Sequence, residues 1–216
     1  MKITLTVLVC VHSQDTFYDN LLINAIKSLE NQTYKDFEVL FVLDQCWEFT
    51  KKIIDENCKL KYRVVVRDKK TGLHDAKNTG LSMIDSDYVC FLDADDEYVS
   101  TKLQKQIDYI TEKEVDFLGT HSFNKYYDQN YLFPSCFDNL SYLTHSEIEE
   151  IIKNKNVLTH GSMMIRKKCL DDMGGYRKSL GSEDWDLWKR AFEKGYKFHQ
   201  LSERLYIYTL NTSTSR

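Results

Sequence analysis

The chain has 216 residues, 42% apolar and 29% charged, with a formal net charge of −4, the balance of a globular protein large enough for one full domain or two small ones. That charge excludes the concentrated basic surface a nucleic-acid partner requires, and apolar runs such as 5–11 and 39–43 are too short to cross a bilayer. Six cysteines without a C-x-x-C pair argue against zinc and for a reducing compartment, so a cytoplasmic location, free or peripheral to a membrane, is expected.

The opening "MKITLTVLVCVHS" interleaves threonine with β-branched residues and has no cleavage site, which predicts a first strand over Leu5–Val11 rather than a leader. An amphipathic helix is expected over 18–30, a second strand over 38–43 ending at Asp44, a helix over Trp47–Asn57 and a third strand over 62–67. The Gly-containing stretch "DKKTGLHDAKNTGLSMI" enters a short helix, and the near-continuous apolar run Tyr88, Val89, Phe91, Leu92 reads as a strand buried on both faces. This alternation predicts an α/β fold with a Rossmann-like, mainly parallel sheet whose ligand crevice lies beyond the carboxyl ends of the strands. Four strands end there in polar groups: "HS", "DQ", "RD" and "DAD".

The second half is less regular. A helix is expected over 101–113 with Leu103, Ile107 and Ile110 on one side, strands or a hairpin over 116–133, and a short strand, a helical turn and a Gly-Gly stop over 162–176. A final helix starts at the Ser182 cap and stops at Gly195. The aromatic run 123–133 reads as cross-strand packing, with an acceptor platform as the alternative.

Two acidic clusters carry the chemistry. Taken as extended chain, 93–96 turns Asp93 and Asp95 to one side and Asp96 away. Two such carboxylates suit Mg²⁺ or Mn²⁺, which accept oxygen ligands and keep positions open for phosphate; a pair of solvated surface acids is the bland alternative. Glu183, Asp184 and Asp186 either complement a helix N-terminus or, flanked by Trp185 and Trp188, include a general base. His160 reads as a structural histidine, while His12 and His74 lie in ligand-facing loops.

The stretches "TVLVCVHSQD", "AIKSLENQTYKDFEVLFVLD", "GLHDAKNTGL", "DYVCFLDADDEY" and "GSEDWDLWKRAFEKGYKF" together resemble the family-2 glycosyltransferases, inverting enzymes of the GT-A fold that use nucleotide-diphosphate sugars. The resemblance runs in order from about residue 4 to 200 and implies a single domain over 1–216, with a nucleotide-sugar half (1–98) and an acceptor half with the catalytic base (99–216). It implies that Val11, His12, Asp44 and Gln45 border the nucleobase, that Lys77 sits near the nucleotide and that Asp93 contacts the ribose side of the donor. Asp95, with Asp93, would hold the cation that bridges the diphosphate, Asp184 would deprotonate the acceptor hydroxyl and Glu183 would support it. The implied donor is a UDP-sugar and the implied acceptor a glycan or a lipid-linked glycan.

Two positions depart from the family pattern. Gln45 stands where a second acid commonly follows Asp44, and Asn211, assigned as a third metal ligand, stands where a histidine is common, with Thr209 in the place of an arginine. Two other functions fit the same residues: a phosphohydrolase built on the D-x-D site, and a non-catalytic nucleotide-sugar or carbohydrate binder. The short second half leaves no room for a large acceptor module, and three expectations stay open: a small soluble enzyme acting alone, reliance on a partner protein, or an additional domain in a longer polypeptide.

Overall fold

A computed structural model describes residues 2–12, 16–44, 47–68, 71–127, 129, 131–135, 143–178 and 182–210. In chain order the elements are β1 (Leu5–Val11), α1 (Thr16–Glu30), β2 (Glu38–Asp44), α2 (Trp47–Asn57), β3 (Tyr62–Arg67), α3 (Leu73–Leu81), β4 (Tyr88–Phe91) and β5 (Glu97–Tyr98). They continue with α4 (Lys102–Glu112), β6 (Phe117–Tyr126), β7 (Leu132–Pro134), α5 (His145–Ile152), a 3₁₀ turn (His160–Ser162), β8 (Met164–Arg166), α6 (Lys167–Asp172), α7 (Glu183–Glu193) and β9 (Phe198–Leu210).

The α/β sheet expected from the alternation is present. Strands β3, β2, β1 and β4 are neighbours and all parallel. Side chains alternate across such strands, so one strand feeds two cores. From β1, Leu5, Val7, Val9 and Val11 pack with Leu22, Ile26 and Leu29 of α1 and Ile54 of α2. Leu8 points to the opposite layer, with Ala76 and Leu81 of α3 and Leu187 and Trp188 of α7. Both faces of β4 are buried, as its unbroken apolar run predicts.

Beyond β4 the sheet turns antiparallel at β8 and continues through β6 and β9 to β5, with β7 paired to β6. Only residues 92–96 separate β4 from β5, yet β8, β6 and β9 lie between them along the sheet. The sheet therefore curls back on itself, and this half-barrel sets β9 over the end of β4. Irregular pairing of β6 with β9 between Thr120 and Ser122 supplies the bend. The expected hairpin over 116–133 is the β6–β7 pair, with Tyr126 against Phe133 at a centroid distance of 5.4 Å. No helix among the described residues is long and apolar enough to cross a membrane.

The 3₁₀ turn meets β9 at a position with no room for a side chain. Gly161 packs so closely on the buried Tyr206 that a Cβ there would lie 2.0 Å from the tyrosine oxygen. Gly161→Ala should lower stability by about 1–3 kcal/mol, the usual cost of overpacking, and the urea midpoint measures it.

Candidate active site

The parallel strands bring Val11, Asp44, Arg67 and the residues after Phe91 to one edge of the sheet. Three adjoining hollows form a cleft along that edge, with the half-exposed Leu73 lining all three.

The first hollow, about 200 Å³, is lined by Cys10, Val11, His12 and Asp44. Asp44 is buried and paired with the Arg67 guanidinium, whose Nη1 lies 3.1 Å from its Oδ1. This pair fastens the ends of β2 and β3 together, and Arg67 also donates to the Thr71 hydroxyl. Gln45 lies outside the described residues.

The second hollow, about 290 Å³, is walled by Asp93, Asp95 and Asp96, with His12 and Tyr208 opposite. The expectation of extended chain here is corrected: 93–96 is a tight turn, closed by the Asp96 N–H donating to the Asp93 carbonyl at 3.0 Å. Turn geometry, not strand alternation, brings Asp93 and Asp95 to the same hollow. Asp96 is spent on β9: its carboxylate accepts the Tyr206 hydroxyl at 2.5 Å and the Thr209 N–H at 2.6 Å. Burial holds all three carboxyls above the ordinary carboxylate range, and mutual repulsion adds to it, Asp93 raising Asp95 and both raising Asp96. Lys77 pulls Asp93 back down. Two half-buried carboxylates, Asp93 beside the charge of Lys77 and Asp95 with one backbone hydrogen bond, suit a hard dication by the chemistry of their oxygens. Among the described residues no group of three or more histidine, cysteine or carboxylate side chains is placed to hold a metal. Asn211, the expected third ligand, lies outside those residues.

The third hollow is the largest, about 640 Å³, and shares Asp93 and Tyr208 with the second. Its floor is the start of α7, where Ser182 caps the helix as expected and Glu183 and Asp184 occupy the first turn. Lys77, expected near the nucleotide, lines this hollow, buried, donating to Glu183 Oε1 at 2.9 Å and lying 5.1 Å from the centre of the Tyr176 ring. Burial alone would raise Glu183, but the charge and hydrogen bond of Lys77 outweigh it and leave that carboxyl below its usual value. Asp184 goes the other way. Burial raises it, against the opposing pull of Asn156, the Trp185 N–H and Lys77. Two adjacent carboxyls are thus driven apart, Glu183 fixed as a charged partner and Asp184 made more basic, the pattern that separates a structural acid from a proton acceptor.

His160 lies above this floor, buried against Phe91 with its Nε2 2.7 Å from the Tyr176 hydroxyl. Burial and then the charge of Lys77 hold its pKa well below the ordinary histidine value, so the ring is neutral. Asn156, Tyr176 and Tyr208 are the neighbours that sequence reasoning did not single out. Asn156 sits in a stretch with no motif, whereas Tyr176 directly follows the Gly-Gly stop and Tyr208 opens the stretch that departs from the family pattern at Thr209 and Asn211.

Comparison with known proteins bears on the family and the fold. The chain is 27% identical to the O-antigen biosynthesis glycosyltransferase WbnJ of Escherichia coli, over 98% of this chain and 82% of that protein. It is 28% identical to the amylovoran biosynthesis glycosyltransferase AmsB of Erwinia amylovora, over 88% of this chain and 66% of that protein. Among solved structures, TarS 1–349 of S. aureus in complex with UDP-GlcNAc superposes with a TM-score of 0.79 at 18% identity, covering 99% of this chain and 62% of that one. At that identity the likeness establishes the fold, and the chain spans about three fifths of the solved one. The model of glycosyl transferase family 2 matches residues 6–174 and so takes in β1 through α6, including the aspartate turn, but stops short of Glu183 and Asp184. With the curled sheet, the cleft at its carboxyl edge and a match over more than half its length, the chain belongs to glycosyl transferase family 2.

Proposed function

We propose that the chain transfers a sugar from a nucleotide-diphosphate sugar to an acceptor hydroxyl in one displacement that inverts the anomeric carbon. The observation that carries this reading is the pairing of two carboxylate sites along one cleft, Asp93 and Asp95 in one hollow and Asp184 in the next, joined through the shared wall of Asp93 and Tyr208. In this reading residues 1–98 form the donor half and 99–216 the acceptor half of one domain.

Each residue then has a task. Val11, His12 and the Arg67-fastened Asp44 border the nucleoside. The diphosphate lies against Asp93 and Asp95, which would hold Mn²⁺ or Mg²⁺; when bound, that ion offsets the negative charge growing on the leaving diphosphate. The acceptor occupies the third hollow, where Asp184 takes the proton from the attacking hydroxyl as the new bond forms. Glu183 stays ionised through Lys77, and the same lysine spans the space between Glu183 and Asp93. An uncharged, hydroxyl-rich acceptor suits this hollow, since its one lining cation among the described residues is already paired.

UDP-GlcNAc, the ligand in the similar TarS complex, is the first donor to try. A thermal-shift titration with and without Mn²⁺ should raise Tm most when both are present, by an increment that grows with the logarithm of donor concentration. A panel of nucleotide sugars that leaves Tm unmoved with either ion would reject the donor site.

A further inference from the structure

We propose that Asn156 is a positioning residue for the base, its carboxamide fixing the orientation of the Asp184 carboxylate for proton abstraction; this rests on the reading of Asp184 as that base. Asn156 follows α5, 28 positions ahead of Asp184, in a stretch that carries no motif. Its Nδ2 donates to Asp184 Oδ2 at 3.1 Å, while the other carboxylate oxygen, Oδ1, accepts the Trp185 N–H at 2.7 Å. Each oxygen therefore has one fixed donor and lone-pair capacity left for a substrate hydroxyl.

The direction of the amide is settled by its other end. Asn156 Oδ1 accepts the Leu158 N–H at 3.3 Å, so the NH₂ group is the end that faces the carboxylate. The loop is also tied to the helix that bears the base, because the Trp185 indole donates to the carbonyl of Ile152 at 2.7 Å. One tryptophan thus serves both parts, its backbone holding Asp184 and its ring holding the end of α5. A base oriented by a third group is a recurrent requirement of proton transfer.

The charged and titratable groups around Asp184 are Lys77 from α3, Glu183 beside it on α7, Tyr176 after α6, Asp93 after β4, His160 from the 3₁₀ turn and Tyr208 from β9. Of these Lys77 favours the ionised form and Glu183 opposes it, and Asn156 is the side-chain hydrogen bond that favours it. Its loss leaves burial less opposed, so the carboxyl should hold its proton to higher pH.

The test uses two variants of the full chain. Asn156→Ala removes both bonds of the amide. Asn156→Asp keeps an oxygen for the Leu158 N–H and the same shape, but replaces the donor with a second carboxylate. A titration of the aspartate ¹³Cγ resonances, with Asp184 assigned by the signal lost in Asp184→Asn, needs no substrate. Its midpoint should rise by about one pH unit in Asn156→Ala and further in Asn156→Asp. With UDP-GlcNAc and Mn²⁺ as the probe, water as the attacking hydroxyl and UDP release by hydrolysis as the readout, kcat should fall about 10-fold in Asn156→Ala and more in Asn156→Asp. The donor KM should stay within about twofold, and the acid limb of the rate profile should follow the resonance. A residue that only holds the loop would leave Asn156→Asp with the titration and kcat of the parent, and that result overturns the proposal. If Asp184→Asn is inactive while Asn156→Asp is not, the base stands and the positioning residue falls. If Asp184→Asn releases UDP at the parent rate, both fall together.

Discussion

Asp184→Asn should abolish sugar transfer, with a loss of about 10²–10⁴-fold for removal of a general base, while nucleotide-sugar binding stays within about twofold. The substitution is close to isosteric and keeps an oxygen to accept the Trp185 N–H that Asp184 now binds at 2.7 Å. What disappears is the capacity to take a proton. Asp184 works only when ionised, and burial lifts its pKa above the ordinary carboxylate range. Transfer by the parent chain should therefore fall as pH drops through that raised value, and the residual rate of the variant should lack this limb. Donor affinity should be spared because Asp184 lines only the third hollow, whereas Val11, His12, Asp44 and Asp95, the residues proposed for the donor, line the other two. Initial rates across pH and a donor-binding isotherm for both proteins decide it. Parent-like transfer by the variant removes Asp184 as base, and a chain that binds donor but shows no transfer in either form supports the non-catalytic binder instead.

Why was so much of this legible from residues alone? The parallel half is written in local patterns. β1, α2 and β3 fall at Leu5–Val11, Trp47–Asn57 and Tyr62–Arg67, as expected from apolar period and turn residues. The Ser182 cap of α7 was legible for the same reason, since capping is chemistry between near neighbours. The curled half was not. β9 pairs with β6 and β5, and the bonds from Tyr206 and Thr209 to Asp96 join residues 110 and 113 positions apart. No local pattern carries such a contact. In α4 the apolar stripe Leu103, Ile107, Ile110 is buried as expected, yet Lys102 is fully buried too. Its ammonium donates to Gln106 at 2.7 Å and lies 4.0 Å from the centre of the Tyr98 ring, partners four positions away on either side, so its contacts are local and only its burial comes from the tertiary fold. The partner of Lys77 was hidden for a related reason: its motif belongs to α3, but Glu183 is 106 positions away.

Asp95→Ala should remove the Mn²⁺-dependent part of donor stabilisation and at the same time make the free protein more stable, not less. Three carboxyls are crowded into the turn 93–96, and Asp95 is raised first by burial and then by Asp93. Removing one of them relieves repulsion that Lys77 and the backbone offset only in part, since Asp93 and Asp95 both stay above the ordinary range. A gain of about 1 kcal/mol would appear as a rise of about 2–4 °C in Tm for a chain of this size. With donor and Mn²⁺ present the order should reverse, because the parent gains from binding and the variant does not. Asp96→Ala is the contrast that gives this meaning. Its carboxylate accepts the Tyr206 hydroxyl and the Thr209 N–H, so its loss leaves a buried phenol and a backbone donor without their acceptor. The free protein should then lose stability, by about 1–3 kcal/mol for a group left unsatisfied. Opposite signs at two adjacent aspartates in Mn²⁺-free scans would separate a carboxylate kept for a ligand from one kept for the fold. Destabilisation of both, with donor stabilisation by Mn²⁺ intact in Asp95→Ala, would make the aspartate turn a structural feature and leave the diphosphate to be held elsewhere.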